Sequence, residues 1–287
     1  VDLYPKSEDA PKTQFKAALI YEKQGDYPKM IGALNEFITR YQKDPKQSDY
    51  TIDAKKRIGD ALRKQNKEAD ARKAYAAAAD EYDKRKLDFD KYPIAANAAA
   101  EARFLLAEAQ FAEFDKIKIS GSGKALANSF KVKTEAVKKV QNVYNEVYKY
   151  KRLEWTLASL FRNGYVLERF AQTLIETPVP PEVKRLGDEA IVAYQDGLAQ
   201  QTVKLEDAAV EKYEATLKEA KKNFISNEWT KKTLESLNRF RPKEYPVLKE
   251  PKGVLSTEGA YVDGVILTPE GNPKPGDEAQ KLKGDDK

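Results

Sequence analysis

The sequence contains no cysteine and no histidine, one methionine and two tryptophans, and these absences remove whole classes of chemistry. Without Cys or His, zinc sites of the usual type cannot form. Ser-His-Asp and Cys-His nucleophile pairs are excluded too, as is haem or iron–sulfur ligation through those residues. Disulfides are likewise absent, which fits a cell-envelope protein as readily as a cytosolic one. No run of about 18 apolar residues occurs, so nothing reads as a membrane span. Phosphate-loop and dinucleotide-binding patterns are also missing. Gly121 and Gly123 in SGSGK superficially suggest a phosphate loop, but no strand pattern leads into them, and a loop between helices is the simpler reading. No cofactor and no metal site is expected.

Charged residues make up 34% and hydrophobic residues 41%, with a mean hydropathy of −0.73. That balance is polar for one compact globule. It suits thin layers of paired helices in which each helix keeps one face wet. Residues 14–45 carry the clearest pattern: Ala17, Ala18 and Tyr21, then Met30, Leu34, Phe37, Ile38 and Tyr41, on either side of Gly25-Asp26-Tyr27. This spacing predicts two helices, with Pro28 in a first-turn position that tolerates it. A small residue, an aromatic three later, a Gly-Asp-Tyr turn and an apolar stripe match the tetratricopeptide repeat (TPR).

Residues 53–83 form a second unit. Gly59 is the small residue, Leu62 replaces the aromatic, Asn66 stands at the turn, and Ala71, Tyr75, Ala78 and Tyr82 make the stripe. Its turn falls 41 residues after the first, longer than the period of about 34. A third unit begins near Asn97, with Ala107 small and Phe111 and Phe114 near the helix end. Beyond residue 120 the repeats degenerate. One long helix is expected over 124–152, others over 154–176, 182–201, 205–224 and 227–240. TPVPP, containing Pro178, Pro180 and Pro181, forms a stop. Residues 1–12 read as an N-terminal extension, 13–119 as TPR-like repeats, 124–249 as degenerate TPR-like helical repeats, and 250–287 as an extended or disordered tail. Within that tail AYVDGVILTPEG reads first as disorder, and otherwise as a brief strand or a segment that binds along a partner. The expected fold class is all-α, a TPR-type helical-hairpin solenoid.

Three segments go further. EARFLLAE, the stretch YKYKRLEWTLASLFRNGYVLERFAQTLIETPVPP, and AAVEKYEATLKEAKKNFISNEWTKKTLESLNRFRPKEYPVLKE together resemble TPR proteins of deltaproteobacteria. These include periplasmic and outer-membrane components of the myxobacterial gliding-motility apparatus. The resemblance covers roughly residues 95–250; EWTLA…PVPP and NEWT…YP are its most specific parts. It implies a periplasmic or outer-membrane-associated scaffold or adaptor without catalysis, whose partners are other proteins of an envelope complex. A chain starting at Val1 leaves room for a removed leader, or for a lipid anchor upstream. The alternatives are an outer-membrane lipoprotein pilot or assembly chaperone, and an enzyme using two carboxylates in a helical groove, for which acids about 5–10 Å apart are required.

Two sets of residues are candidates for binding. Counting from the small residues, the groove-facing positions are Phe15, Leu19 and Glu22, then Lys56, Asp60 and Arg63, then Phe104, Glu108 and Phe111. Aromatic and arginine side chains anchor peptides well, although Phe104 and Phe111 equally suit packing on the next helix. The second set is a basic stretch. Lys116 to Arg152 carries a balance of +8 against +5 for the whole chain. Lys131, Lys133, Lys138, Lys139, Lys149, Lys151 and Arg152 are its candidate face, toward an acidic protein or surface or simply toward solvent. Nine of its ten cations are lysine and its aromatics belong to the apolar stripe, which argues against nucleic acid. Trp155 and Trp229 read as core.

Overall fold

A computed structural model describes residues 7–246 and two short strands further on. Residues up to Tyr245 form one compact unit and Pro246–Lys287 a second. The first unit is all-helical, with ten α-helices among the described residues.

Helix α1 (Ala10–Gln24) ends at Gly25, whose φ of 72° lets its N–H turn back to the Glu22 carbonyl, a conformation glycine adopts without a Cβ penalty. Asp26 then caps α2 (Tyr27–Tyr41) by accepting the Lys29 N–H at 3.2 Å. A 3-10 turn leads into α3 (Ser48–Lys64), and Asn66, at φ 60°, makes the turn into α4 (Glu68–Arg85). The predicted breaks at Gly25 and Asn66 are therefore where the chain turns.

Helix α5 (Pro93–Lys116) is buried on several sides. Ala95, Ala96, Ala98, Ala99, Ala100, Ala102 and Ala107 are all buried; such short side chains let α3, α4, α6 and α7 approach one axis. Helix α6 (Gly123–Asn145) does not continue to 152 as its periodicity suggests. Its last turn tightens into a 3-10 segment, Glu146–Tyr150, which ends at Lys151 in the left-handed conformation. Helix α7 (Leu153–Ile175) stops at TPVPP as expected.

Residues 182–222 differ from the expected pair of helices. A single turn, α8 (Pro181–Arg185), is followed by Gly187 at φ 94° and then by one continuous helix, α9 (Asp188–Lys222). QTVKL contains no residue that breaks a helix, so the ladder runs through it. Helix α10 (Glu228–Phe240) opens with a capping box between Asn227 and Thr230. The odd-numbered helices α1, α3, α5, α7 and α9 touch in series, and α2, α4 and α6 pack outside them against their sequence neighbours. The largest core cluster runs from Ile52 to Leu174 and passes across the 120–123 break. Smaller clusters lie under α1–α3 and under α7, α9 and α10.

Three of these pairings share one device. Gly59 on α3 lies against the Tyr75 ring of α4, and Gly164 on α7 lies against the Tyr213 ring of α9. Each tyrosine hydroxyl donates to a carboxylate on the helix that carries the small residue: Tyr75 to Asp60 at 2.9 Å, Tyr213 to Glu168 at 2.6 Å. On α5, Ala107 is buried beside Glu108, which accepts from the Tyr144 hydroxyl. The small residue removes steric bulk and the carboxylate satisfies the buried phenol.

In the second unit, β1 (Ala260–Val262) pairs antiparallel with β2 (Val265–Leu267), Tyr261 opposite Ile266. The strand reading of AYVDGVIL therefore holds over those residues. The rest of 250–287, and the extension before residue 7, lie outside the described residues.

Candidate functional site

Ion pairs join α1 to α3, α3 to α5, α5 to α7, and α7 to α10. Arg57 on α3 reaches Glu22 on α1 at 2.8 Å and Asp53 on its own helix at 2.7 Å. Lys56 holds Asp60 at 2.9 Å and Glu101 on α5 at 2.6 Å. Glu108 on α5 pairs with Arg162 on α7, and Asp115 with Arg169 at 2.8 Å. Glu168 on α7 meets Arg239 on α10 at 2.6 Å. Most of these side chains are half-buried, where a pair is screened less than at an open surface. Burial pushes the Glu101 carboxyl up, against the pull of Lys56. Burial also pulls the Lys56 ammonium down, but Asp60 and Glu101 outweigh it and hold it above its usual value.

This ladder decides what the predicted groove residues do. Glu22, Lys56, Asp60 and Glu108 belong to it, each with a partner inside the protein. Phe15 is buried against Phe37 and Tyr50, with ring centroids 5.4 and 5.2 Å away; Leu19 packs on the same cluster. Phe104 is buried among Tyr144, Trp155 and Trp229. Phe111 is half-buried between Phe114 and Tyr165, with the Arg162 guanidinium 5.1 Å from its ring centroid. Of the nine, Arg63 alone is classed as exposed. Phe15 and Phe104 are thus core residues rather than groove anchors, because the neighbouring helices cover the faces that periodicity left open. Trp155 and Trp229 pack against the core, as expected.

The basic stretch is dispersed in the same way. Lys133 is fully buried, and its ammonium donates to the Phe114 and Ile117 carbonyls at 2.9 Å each, 4.0 Å from the centroid of the Phe114 ring. It adds a second donor to the Phe114 carbonyl, which also accepts the Ile117 N–H at 3.1 Å, and supplies one to the Ile117 carbonyl just past the end of α5. Lys149 pairs with Asp83 at 2.7 Å, Arg152 donates to the Phe89 carbonyl, and Lys151 lies 4.5 Å from the Phe89 ring centroid. Lys131, Lys138 and Lys139 remain exposed. Lys133 therefore cannot belong to a basic face: the end of α5 takes it inward. At SGSGK the Gly123 N–H donates to the Glu182 carboxylate at 2.7 Å, so a protein acid already occupies that amide.

Burial pushes the Lys133 pKa down to about 8. Between about pH 8 and its unfolded value near 10.5, the unfolded chain holds a proton that the folded chain has released, so this group adds stability as pH rises. Lys133→Met is expected to cost about 1–2 kcal/mol by taking the donor from the half-buried Ile117 carbonyl and one of two donors from the Phe114 carbonyl. Urea unfolding at neutral pH and near pH 9 checks this: the wild-type advantage is expected to be larger at the higher pH.

Grooves open on the first unit between the described helices. One, of about 430 Å³, is lined by Leu174, Ile175, Val179, Leu198, Ala199 and Val203 with Thr177, Gln195 and Thr202. Another, of about 260 Å³, is lined by Lys138, Gln141, Asn142, Asn145, Asn163 and Lys212. Neither has a carboxylate in its lining. Sequence reasoning missed Arg57, Glu101, Arg162 and Asn163. The legible signals were the Asp53/Arg57 pair at i,i+4 and Asn163-Gly164 inside a helical pattern, where a glycine marks a packing constraint. No group of His, Cys, Asp or Glu suited to a metal ion, and no helix long and apolar enough to cross a membrane, occurs among the described residues. No protein-family model, curated protein or solved structure matches this chain.

Proposed function

We propose that this chain is a non-catalytic scaffold or adaptor, built as a TPR-type helical-hairpin solenoid with degenerate C-terminal repeats. Its partners are other proteins of a cell-envelope assembly, of the gliding-motility kind. The observation that carries the reading is the series of helices α1, α3, α5 and α7 joined by the ion-pair ladder. A layer fixed in this way offers a partner segment polar contacts that need little reorganisation on binding. The repeated pairing of small residue, tyrosine and carboxylate supports the repeat architecture past residue 120. The envelope setting, periplasmic or outer-membrane-associated, rests on the resemblance over residues 95–250.

A second reading, an outer-membrane lipoprotein pilot or assembly chaperone, is favoured by the apolar groove beside α9, which suits transient hold of an apolar segment. The carboxylate-enzyme alternative gains no support from either groove.

Affinity capture from an envelope extract tests the proposal, using the intact chain, Arg63→Glu, and Lys138→Glu with Lys139→Glu. These side chains are exposed, so the variants are expected to keep the helical circular dichroism of the parent. A defined set of envelope proteins, retained by the intact chain and lost with Arg63→Glu, supports binding along the odd helices. Loss with the lysine pair assigns an acidic partner to α6. Capture of nothing specific by the intact chain overturns the adaptor reading.

A further inference from the structure

The polar groove has the composition of a ligand site. Helix α6 supplies Lys138, Gln141, Asn142 and Asn145, α7 supplies Asn163, and α9 supplies Lys212. Four carboxamide side chains and two lysines thus line one groove, and neither Lys138 nor Lys212 has an ion-pair partner among the described residues. Asn163 forms part of the wall and is only 4% exposed. Its amide nitrogen donates to Asn145 Oδ1 and to the Tyr148 hydroxyl, both at 2.8 Å, while Gln141 donates to its backbone carbonyl at 3.3 Å. Its remaining polar atom, Oδ1, finds no donor in the protein. A buried acceptor without a partner costs about 1–3 kcal/mol, and groups of this kind are few in folded proteins.

We propose that this groove binds a small hydroxylated anion, a sugar acid carrying one carboxylate beside several hydroxyls. The two ammonium groups take the carboxylate, because charge-assisted hydrogen bonds are the strongest available there. Carboxamides suit hydroxyls, since a carboxamide carries both donor and acceptor and a hydroxyl needs both; Asn163, whose amide hydrogens are engaged, offers its acceptor alone. A hydroxyl also supplies the donor that Asn163 Oδ1 lacks. That oxygen is screened from solvent in the free protein, so contact with a ligand hydroxyl requires the side chains covering it to shift. The volume of about 260 Å³ lies just under the range of about 300–1,000 Å³ for drug-sized ligands and suits a single sugar ring. A purely apolar ligand is disfavoured, because it would leave both ammonium groups and the amides without partners.

Titration with glucuronate, glucose and acetate, followed by NMR of the side-chain amides, tests the proposal. Glucuronate is expected to bind at least about tenfold more tightly than glucose, which lacks the charge, or acetate, which lacks the hydroxyls. Lys138→Gln with Lys212→Gln, both at exposed positions, is expected to weaken glucuronate by about tenfold or more while glucose is unchanged. Asn163→Asp, which places a negative charge in the wall, is expected to abolish glucuronate binding; the lysine variant stands alone if that protein fails to fold. Acetate or glucose binding as tightly as glucuronate overturns the proposal. So does absence of glucuronate binding at its highest soluble concentration, or unchanged affinity in the lysine variant.

Discussion

Between about pH 10 and pH 12 the protein is expected to unfold cooperatively, with the buried tyrosines ionising only as the helices melt. Tyr144, Tyr150 and Tyr213 are fully buried and Tyr75 nearly so. Burial comes first in pushing all four phenols well above their ordinary value, and the neighbouring carboxylates Asp60, Glu108 and Glu168 add to it at Tyr75, Tyr144 and Tyr213. Tyr148 is pushed up to about 12, again by burial. A raised folded pKa contributes stability that is complete below the unfolded value and lost as pH climbs toward the folded one. Two pH units above the unfolded value, each of the four phenols has cost about 3 kcal/mol. Their sum of about 11 kcal/mol rivals the whole stability of a typical domain. Lys133 and Lys55, both pulled down by burial, work in the opposite direction, but they are two groups against four and their gain ends near pH 10.5. Ultraviolet tyrosinate absorbance recorded with circular dichroism checks this. If every tyrosine ionises near its ordinary value while the helical signal stays intact, the buried-phenol description fails.

Leucine at Gly59 or Gly164 is expected to destabilise by about 3 kcal/mol, toward the upper end for overpacked cores. A Cβ at Gly59 would stand 2.4 Å from the Tyr75 ring, and one at Gly164 2.7 Å from the Tyr213 ring and 3.1 Å from the Ala209 carbonyl oxygen. Neither ring is free to swing aside, because its hydroxyl is bonded to Asp60 or Glu168. Gly32 is the control: it is helical and exposed, with open space around its Cβ position, so alanine there is expected to be neutral or slightly stabilising. Ala18→Leu, at another buried small position, is expected to cost about 1–3 kcal/mol. Thermal melts of the four variants rank these costs. Unchanged melting at Gly59 and Gly164 would mean that α3/α4 and α7/α9 do not approach as closely as described.

The first hairpins could be read residue by residue, since Gly25, Asp26 and Asn66 act through their own backbone and the four or five residues around them. Gly59 was legible as a close-packing position for the same reason: it falls where a repeat requires a short side chain. Gly164 was legible only as a glycine inside a helical pattern; its unit lacks the regular spacing that would have shown which helix it packs against. The candidate groove shows the same division. Periodicity assigns Phe104 and Glu108 to one face of α5, but that face meets Tyr144, Trp155, Arg162 and Trp229, which come from residues up to 125 positions later.

By itself the sequence determined that this chain is helical, where its early turns fall, and which chemistries lacking Cys and His it cannot perform. Those properties depend on composition and on local geometry repeating every few residues. Only the tertiary structure decided that α9 is a single helix, that Lys133 turns inward, that the predicted groove acids and lysines are tied into a ladder, and that Asn163 lies among unpaired lysines. A charged side chain looks the same in sequence whether it faces water or a carbonyl from another helix. What fixes its role is the partner that folding brings to it.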